Sequence, residues 1–219
     1  MLKYPCLVLD HDDTVVQSEA TVNYPYFCQI LDQLRPGKTI TLSQYVEGCY
    51  HLGFAQMCRD RYQFTEEELK QEYMGWQDYI KDHVPAPFPG IQEVISRQKA
   101  LGGKICVVSH SCRKNILRDY HMHFGLEPDL IFGWDYEEPK RKPNPWPLQQ
   151  IMEQYHLAPW QLLVVDDMKP AREMTAKVNV PIAFAGWARS PELEISREMK
   201  EICDFSFRTP MDLQRFLFD

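Results

Sequence analysis

The pattern of apolar and polar residues is clearest near the start of the chain, where a run of four apolar residues, Cys6 to Leu9, ends at a cluster of acidic residues. Short runs that are apolar at every position are typical of strands buried on both faces of a parallel sheet. Similar runs recur at residues 104–108, 129–132, 161–165, 181–184 and 203–207, the last predicted as an edge strand. Helical patterns lie between them at residues 92–101, 116–124, 147–155 and 171–178, and near 213–217. This alternation predicts an α/β fold with a doubly wound parallel sheet.

The segment that separates the first two strands has helical periodicity throughout and contains no strand pattern. Helices are predicted over residues 20–34, 42–52, 55–62 and 65–84. A proline-rich run at residues 85–90 follows and predicts a stiff linker. We therefore expect two domains, a core of residues 1–17 and 86–219 and an inserted all-helical domain of residues 18–85.

The last helix of this insertion carries two further signals. Thr65 opens a capping box, a pattern that marks the start of a helix. Leu69, Tyr73, Trp76 and Ile80 follow at helical spacing. Because apolar residues at this spacing line one face of a helix, they predict a buried packing face and not a ligand-binding stripe.

Composition and charge exclude several classes of function. The formal net charge of −7 over 219 residues argues against a general nucleic-acid-binding protein, because phosphate backbones require a basic face. No apolar run approaches the roughly 20 residues that cross a bilayer and no signal peptide is recognised, so we expect a cytoplasmic protein without a membrane span. The seven cysteines contain no CxxC pair, which predicts reduced thiols and no zinc site.

Polar side chains follow three of the predicted strands at the point where each strand ends. They are Asp10 and Asp12 after the first strand, Ser109 after the second, and Asp166 with Asp167 after the strand at residues 161–165. The carboxyl ends of parallel strands share one edge of a sheet, so we expect these groups to converge. Two carboxylates about 4 Å apart repel by roughly 4 kcal/mol at an effective dielectric of about 20, and a divalent cation would remove that repulsion. Alternatively, Asp12 or Asp13 caps a helix.

A basic run in a loop adds a further candidate. Lys142 lies within the sequence KRKPNP, residues 140–145, just before a predicted helix. The two prolines restrict the backbone, which would fix the direction of the Lys142 side chain. A solvated turn is the alternative interpretation of this run.

Taken together, these features resemble the haloacid dehalogenase (HAD)-like superfamily, in its phosphatase branch. Four motifs carry the resemblance in the expected order. They are Asp10-His11-Asp12-Asp13-Thr14, Ser109, Lys142-Pro143-Asn144-Pro145 and the pair Asp166-Asp167. One such motif recurs by chance, whereas four in order are specific. The resemblance implies a Rossmann-like core and identifies the helical insertion as a small cap domain.

The resemblance also implies a role for each motif residue. Asp10 would attack phosphorus and carry an aspartyl-phosphate intermediate. Asp12 would protonate the leaving oxygen and later activate water. Ser109 would donate a hydrogen bond to a phosphoryl oxygen, and Lys142 would neutralise charge on Asp10 and on the phosphate.

A Mg²⁺ site is implied in the same way. Asp10, the backbone carbonyl of Asp12, and Asp166 would hold the ion, which keeps water molecules in its octahedral shell. Asp167 would orient a metal-bound water or Lys142. The cofactor expected from the resemblance is therefore Mg²⁺, with ligands from the first and fourth motifs.

Some positions depart from the family pattern. Asp13 stands where glycine is commoner, and Asp tolerates unusual backbone angles better than most residues. His110 stands where an Asn often follows the second motif, so it either contacts phosphate or substrate or is a capping or surface histidine. His11 lies between the two acidic residues of the first motif and is a further candidate for substrate contact.

The leading hypothesis is a Mg²⁺-dependent phosphatase for a small phosphorylated metabolite, similar to phosphoglycolate phosphatases. A phosphosugar mutase would share all four motifs and is the alternative enzyme. An alternative of another class is a non-catalytic HAD-like protein that binds a phosphate or a partner. We expect no nucleic-acid or membrane partner, and either a monomer or a homodimer. The sequence of the cap carries no motif that identifies the substrate.

Overall fold

The computed structural model describes residues 2–219, which divide into two compact units. Unit 1 contains the chain up to Val16 together with Ala86–Asp219, and unit 2 contains Gln17–Pro85. The expected domain boundary after residue 17 lies one residue from this division. The role of unit 2 as a cap domain stays a prediction.

Unit 1 is built on one sheet of six strands, and every neighbouring pair is parallel. The strands are β1 Cys6–Leu9, β2 Lys104–Val108, β3 Leu130–Phe132, β4 Leu162–Asp166, β5 Ile182–Ala185 and β6 Phe205–Phe207. Their order across the sheet is β3-β2-β1-β4-β5-β6. The predicted α/β fold with a doubly wound parallel sheet is confirmed, and the run at residues 203–207 does form the edge strand.

Helices connect the strands of unit 1 and make up unit 2. In chain order they are α1 Tyr24–Leu34, α2 Leu42–Leu52, α3 Phe54–Tyr62, α4 Glu66–Asp82, α5 Ile91–Ala100, α6 Arg113–Phe124, α7 Trp146–Tyr155, α8 Lys169–Ala176, α9 Glu194–Ile202 and α10 Pro210–Phe218. Short 3-10 turns lie at Glu138–Lys140 and Pro159–Gln161. The sequence pattern did not predict α9, in which Ile195 and Met199 are buried among charged neighbours.

The helix predicted over residues 20–34 is interrupted near its start. Glu19–Asn23 forms a wide π-type turn, in which the backbone N–H of Tyr24 donates to the carbonyl of Glu19, and α1 follows. Pro25 lies in the first turn of α1 and has no N–H to donate. The missing donor removes one α-helical hydrogen bond at this point, which is consistent with the wider turn that precedes it.

The register of the central strands places their ends at one edge of the sheet. Leu9 of β1 pairs with Val107 of β2 and with Val165 of β4. The backbone N–H of Asp10 then donates to the carbonyl of Val165 at 2.9 Å. The residues that follow these three strands therefore leave the sheet on the same side, as the sequence predicted.

Side chains of β1 alternate between two hydrophobic layers. Leu7 and Leu9 belong to a cluster on one face with residues of α5, α6 and α10. Cys6 and Val8 belong to a second cluster on the other face with residues of α7 and α8. All four side chains are fully buried, which explains why the run is apolar at every position.

Unit 2 has its own aromatic core around Phe27. The ring of Phe27 lies 5.2 Å from Tyr45, 5.7 Å from Phe54 and 5.9 Å from Tyr62, measured between centroids. Tilted and edge-to-face ring pairs at these distances stabilise a small core beyond the area they bury. Unit 2 is thus a helical bundle with an internal aromatic cluster.

Predictions for α4 are confirmed in part. Thr65 accepts a hydrogen bond from the backbone N–H of Glu68, and the Glu68 carboxylate accepts one from the N–H of Thr65, so the capping box is present. Ile80 is buried, but Tyr73 is 43% exposed, and the expected packing role of Tyr73 is wrong. A Cβ at Gly75 would collide with the hydroxyl of Tyr26, so α4 packs closely against Tyr26 at Gly75, and the residues it buries are Glu72 and Ile80.

Two expectations from composition concern the whole chain. The seven cysteines, all within residues 2–219, are free thiols in this structure. Among residues 2–219, no helix combines the length and the apolar character that a membrane crossing requires.

The stability of the sheet can be tested at Leu163, which is fully buried in β4. Replacing Leu163 by Ala should lower the free energy of unfolding by about 2–5 kcal/mol, because lost transfer energy adds to a cavity in a close-packed layer. Leu101 is 57% exposed and is the matched control, for which Leu101→Ala should cost less than about 0.5 kcal/mol. Urea unfolding of both variants measures the difference, and equal losses would contradict the assignment of the core.

Candidate active site

Three carboxylates meet at the ends of the two central strands. Asp10 follows β1, Asp166 ends β4 and Asp167 comes next, and their nearest oxygens lie within 4.8 Å of one another. Asp10 is 5% exposed, and Asp166 and Asp167 are each 1% exposed. The order of the strands reverses between β1 and β4, because β2 and β3 lie on one side and β5 and β6 on the other. Ligands of open α/β sheets bind at this kind of crevice.

Lys142 joins two of these carboxylates. Its Nζ lies 2.7 Å from Oδ1 of Asp10 and 2.7 Å from Oδ2 of Asp166. Burial disfavours the ammonium, but the two carboxylates outweigh that effect and raise the pKa of Lys142. The basic run therefore contributes a buried ion pair to the site. Lys142 does not lie in a solvated turn, which was the alternative interpretation of this run.

His110 holds the backbone of Lys142. Its Nε2 donates to the carbonyl of Lys142 at 2.9 Å, and its ring makes an edge contact with Trp134. Desolvation of the ring and the positive charge of Lys142 lower the pKa of His110, so the neutral ring is favoured. The contacts of His110 in this structure support the loop that carries Lys142, and contact with a phosphate or a substrate stays a prediction.

Arg189 is a member of the cluster that the sequence analysis missed. It lies in the loop between β5 and α9, and its guanidinium pairs with Asp167 and, at 3.3 Å, with Oδ2 of Asp13. The side chain of Arg189 is 5% exposed. The available signal was its position a few residues after another parallel strand, since β5 ends at the same edge of the sheet.

The buried charges of this cluster do not balance. The carboxylates of Asp10, Asp13, Asp166 and Asp167 face two cationic groups, those of Lys142 and Arg189. Four negative charges against two positive ones give these six side chains a net formal charge of −2. Burial raises the pKa of Asp166 to about 8 and also raises that of Asp167. A divalent cation with oxygen ligands fits both the charge and the donor atoms of the cluster.

The loop after β1 is a tight turn and not the start of a helix. The carbonyl of His11 accepts from the N–H groups of Val15 and Val16 at 2.9 and 3.1 Å. Asp13 has a φ of +54°, in the left-handed region where glycine is favoured. The first helical turn begins only at Glu19, so neither Asp12 nor Asp13 caps a helix. Asp12 is half-buried, and its carboxylate lies outside the group formed by the three close aspartates.

Ser109 lies one residue beyond the end of β2 and is buried. Its N–H donates to the carbonyl of Phe132 at 3.0 Å, and its Oγ accepts from the N–H of Ser111 at 3.1 Å. These two bonds fix the backbone and the hydroxyl at the same edge of the sheet as Asp10. Its contact with a phosphoryl oxygen stays a prediction.

His11 does not join the cluster. Its ring is 1% exposed, and Nε2 donates to Oδ2 of Asp119 on α6 at 3.0 Å. Burial alone would raise the pKa of Asp119, but His11 and Arg118 outweigh burial and lower it. The side chain anchors the loop after β1 to α6. Contact of His11 with a substrate stays a prediction.

Comparisons with known proteins agree with this geometry. The family model described as haloacid dehalogenase-like hydrolase matches residues 7–185. A search of curated protein sequences finds no match. Among solved structures, a predicted phosphoglycolate phosphatase from Haemophilus somnus 129PT is 16% identical, covers 99% of each chain and has a TM-score of 0.78.

Two further solved structures contain phosphate. CbbY from Rhodobacter sphaeroides in complex with phosphate is 15% identical, covers 97% of this chain and 96% of its own, and has a TM-score of 0.69. A HAD family hydrolase from Deinococcus radiodurans R1 with bound phosphate and sodium is 14% identical, with coverages of 98% and 95% and a TM-score of 0.74. At these identities the likeness establishes the fold.

The raised pKa of Asp166 predicts how pH affects the metal-free protein. Burial raises the pKa of Asp166 in the folded state from its ordinary value of 3.8 to about 8, so its contribution to stability is present at low pH and is lost as pH rises through about 8. Between about pH 5 and pH 8, the wild type should lose unfolding free energy relative to Asp166→Asn, by up to about 1.4 kcal/mol per pH unit, and above pH 8 the two curves should run parallel. Urea unfolding in a chelator measures both curves. Parallel curves below about pH 8 would contradict the assignment.

Proposed function

The chain belongs to the family of haloacid dehalogenase-like hydrolases, and from that premise we propose that it is a Mg²⁺-dependent phosphatase of a small phosphorylated metabolite. The observation that supports the proposal most is the contact of Lys142 with both Asp10 and Asp166 at the strand-order reversal. A carboxylate held at this position can act as a nucleophile, while the ammonium beside it stabilises charge on a transferred phosphoryl group. Phosphoglycolate phosphatases are the proposed model for its activity.

The residues proposed to hold Mg²⁺ are Asp10, Asp166 and the backbone carbonyl of Asp12. The net charge of the buried cluster and its oxygen donors fit such an ion. Mg²⁺, when bound, would neutralise charge on the nucleophile and on the phosphoryl oxygens. Asp167 would orient a water molecule of the ion, because its carboxylate is already held by Arg189.

Two steps account for hydrolysis. In the first, an oxygen of Asp10 forms a bond to phosphorus while the bond from phosphorus to the leaving oxygen breaks, and Asp12 donates a proton to that oxygen. In the second, Asp12 takes a proton from water, the water oxygen bonds to phosphorus, and the bond to Asp10 breaks to release phosphate. Lys142 and Ser109 would stabilise the phosphoryl oxygens in both steps.

Asp12 is suited to proton transfer by its surroundings. It is half-buried, unlike its neighbours Asp10 and Asp13, and its carboxylate is outside the ion-paired cluster. A general acid must pass its proton to the leaving oxygen and take one from the attacking water, which a carboxylate held in a buried ion pair would do poorly. This difference in environment supports separate roles for two aspartates that lie two positions apart.

Metal removal tests the proposed activity. The purified protein should release inorganic phosphate from an aryl phosphate in the presence of Mg²⁺, and excess chelator should abolish the release. A panel of phosphorylated metabolites, small sugars included, then identifies the preferred class of substrate. Detection of free phosphate distinguishes hydrolysis from transfer within a sugar. Undiminished activity in chelator would refute the metal dependence, and no phosphate release from any compound would favour a non-catalytic protein.

Substitutions at the two aspartates separate nucleophile from acid. Asp10→Asn should show no turnover, because an amide does not form the acyl phosphate. Asp12→Asn should lose roughly 10²–10⁴-fold in kcat, the usual contribution of general acid–base catalysis, and should lose least with good leaving groups. Asp32 is exposed on α1, so Asp32→Asn is the control and should keep the wild-type rate. Wild-type turnover in Asp10→Asn would rule out this mechanism.

A further inference from the structure

We propose that Arg189 is a positioning residue that fixes the loop after β1 for phosphoryl transfer. The contacts of its guanidinium with Asp13 and Asp167 are called here the Arg189 bridge. The bridge joins loops that follow three different strands, β5, β1 and β4. The inference rests on the proposed function, since it assigns a role in that reaction to a residue outside the four motifs.

The backbone of Asp13 indicates what the bridge does. At a φ of +54° a glycine would be accommodated more easily than any residue with a side chain. The N–H of Asp13 donates to the carbonyl of Val16 at 2.8 Å, so this conformation closes the turn. An aspartate offers what glycine lacks, a carboxylate that pairs with Arg189. The ion pair with Arg189 therefore explains why an aspartate stands at residue 13, where the backbone favours glycine.

A second contact from the same loop supports the bridge. Trp187 Nε1, two residues before Arg189, donates to the carbonyl of Thr14 at 3.1 Å. The segment after β5 thus holds two consecutive residues of the turn, Asp13 and Thr14. Asp12 comes directly before them and would supply both a metal ligand and the general acid. A shift of this turn would therefore move Asp12.

The positive charge of Arg189 offsets part of the negative charge of the buried carboxylates. Its planar guanidinium presents several donors in a fixed geometry, so one side chain can pair with two carboxylates. Without it, the buried net charge would change from −2 to −3, with Asp13 and Asp167 both losing a cationic partner. Removing the Asp13 charge at the same time would return the net charge to −2. Arg189→Gln combined with Asp13→Asn is therefore a charge-compensated variant.

Four variants test the proposal: Arg189→Gln, Asp13→Asn, their combination, and the control Arg215→Gln, which alters an exposed arginine on α10. Arg189→Gln should lower kcat by about 10–100-fold with little change in KM, as is usual when a residue that orients a metal site is lost. The loss should be larger for an aryl phosphate with a poor leaving group, because that substrate depends on a correctly placed Asp12. The control should match the wild type.

The double variant gives the decisive comparison. Asn also tolerates the left-handed region, so Asp13→Asn with Arg189→Gln should recover part of the kcat that Arg189→Gln alone loses. Losses that multiply independently, or equal losses with good and poor leaving groups, would overturn the proposal. A wild-type kcat in Arg189→Gln would do the same.

One measurement does not depend on activity. The urea midpoint of the metal-free protein should fall in Arg189→Gln and partly recover in the double variant. A wild type that hydrolyses nothing would overturn the proposed function alone. In that case the urea midpoints test the Arg189 bridge. Partial recovery of the midpoint in the double variant supports it, and independent losses from the two substitutions overturn it.

Discussion

The structure depends on an arrangement of buried carboxylates that water does not solvate. Burying a charge is costly unless opposite charges or metal ions compensate it. Here Asp10 and Asp166 share one ammonium, and Asp13 and Asp167 share one guanidinium. The loops that deliver these two cations are far apart in sequence, so compensation of charge also determines where those loops lie.

The sheet makes this arrangement possible because β1 and β4 are adjacent and in register. Their apolar residues are buried in hydrophobic layers on both faces of the sheet, which leaves the carboxyl edge as the place where polar groups collect. Each helix-connected strand adds one loop to that edge. The chemistry of the site is therefore distributed over five loops, whereas its rigidity comes from one sheet.

Sequence patterns predicted the parts that depend on local rules. The strands were found because residues buried on both faces must be apolar throughout, and Thr65 was found because capping boxes have a fixed spacing. The α9 helix was missed since charged residues cover most of its surface. Tyr73 was misjudged because the contact between Gly75 and Tyr26 is a tertiary one. Arg189 was missed for a similar reason, because its two acidic partners are distant in sequence and leave no spacing to detect.

The position of β1 also has a consequence for synthesis of the chain. β1 is made first, yet its neighbours β2 and β4 begin only at Lys104 and Leu162, after the helices of unit 2. Pairing between strands so distant in sequence is slow compared with the closing of local helices. The segment that leads into Asp10 therefore leaves the ribosome as an apolar strand without either partner. Apolar segments that wait for their partners are the ones that chaperones protect from aggregation. Asp10 therefore follows the strand that is exposed longest, among the six strands of the sheet, before folding.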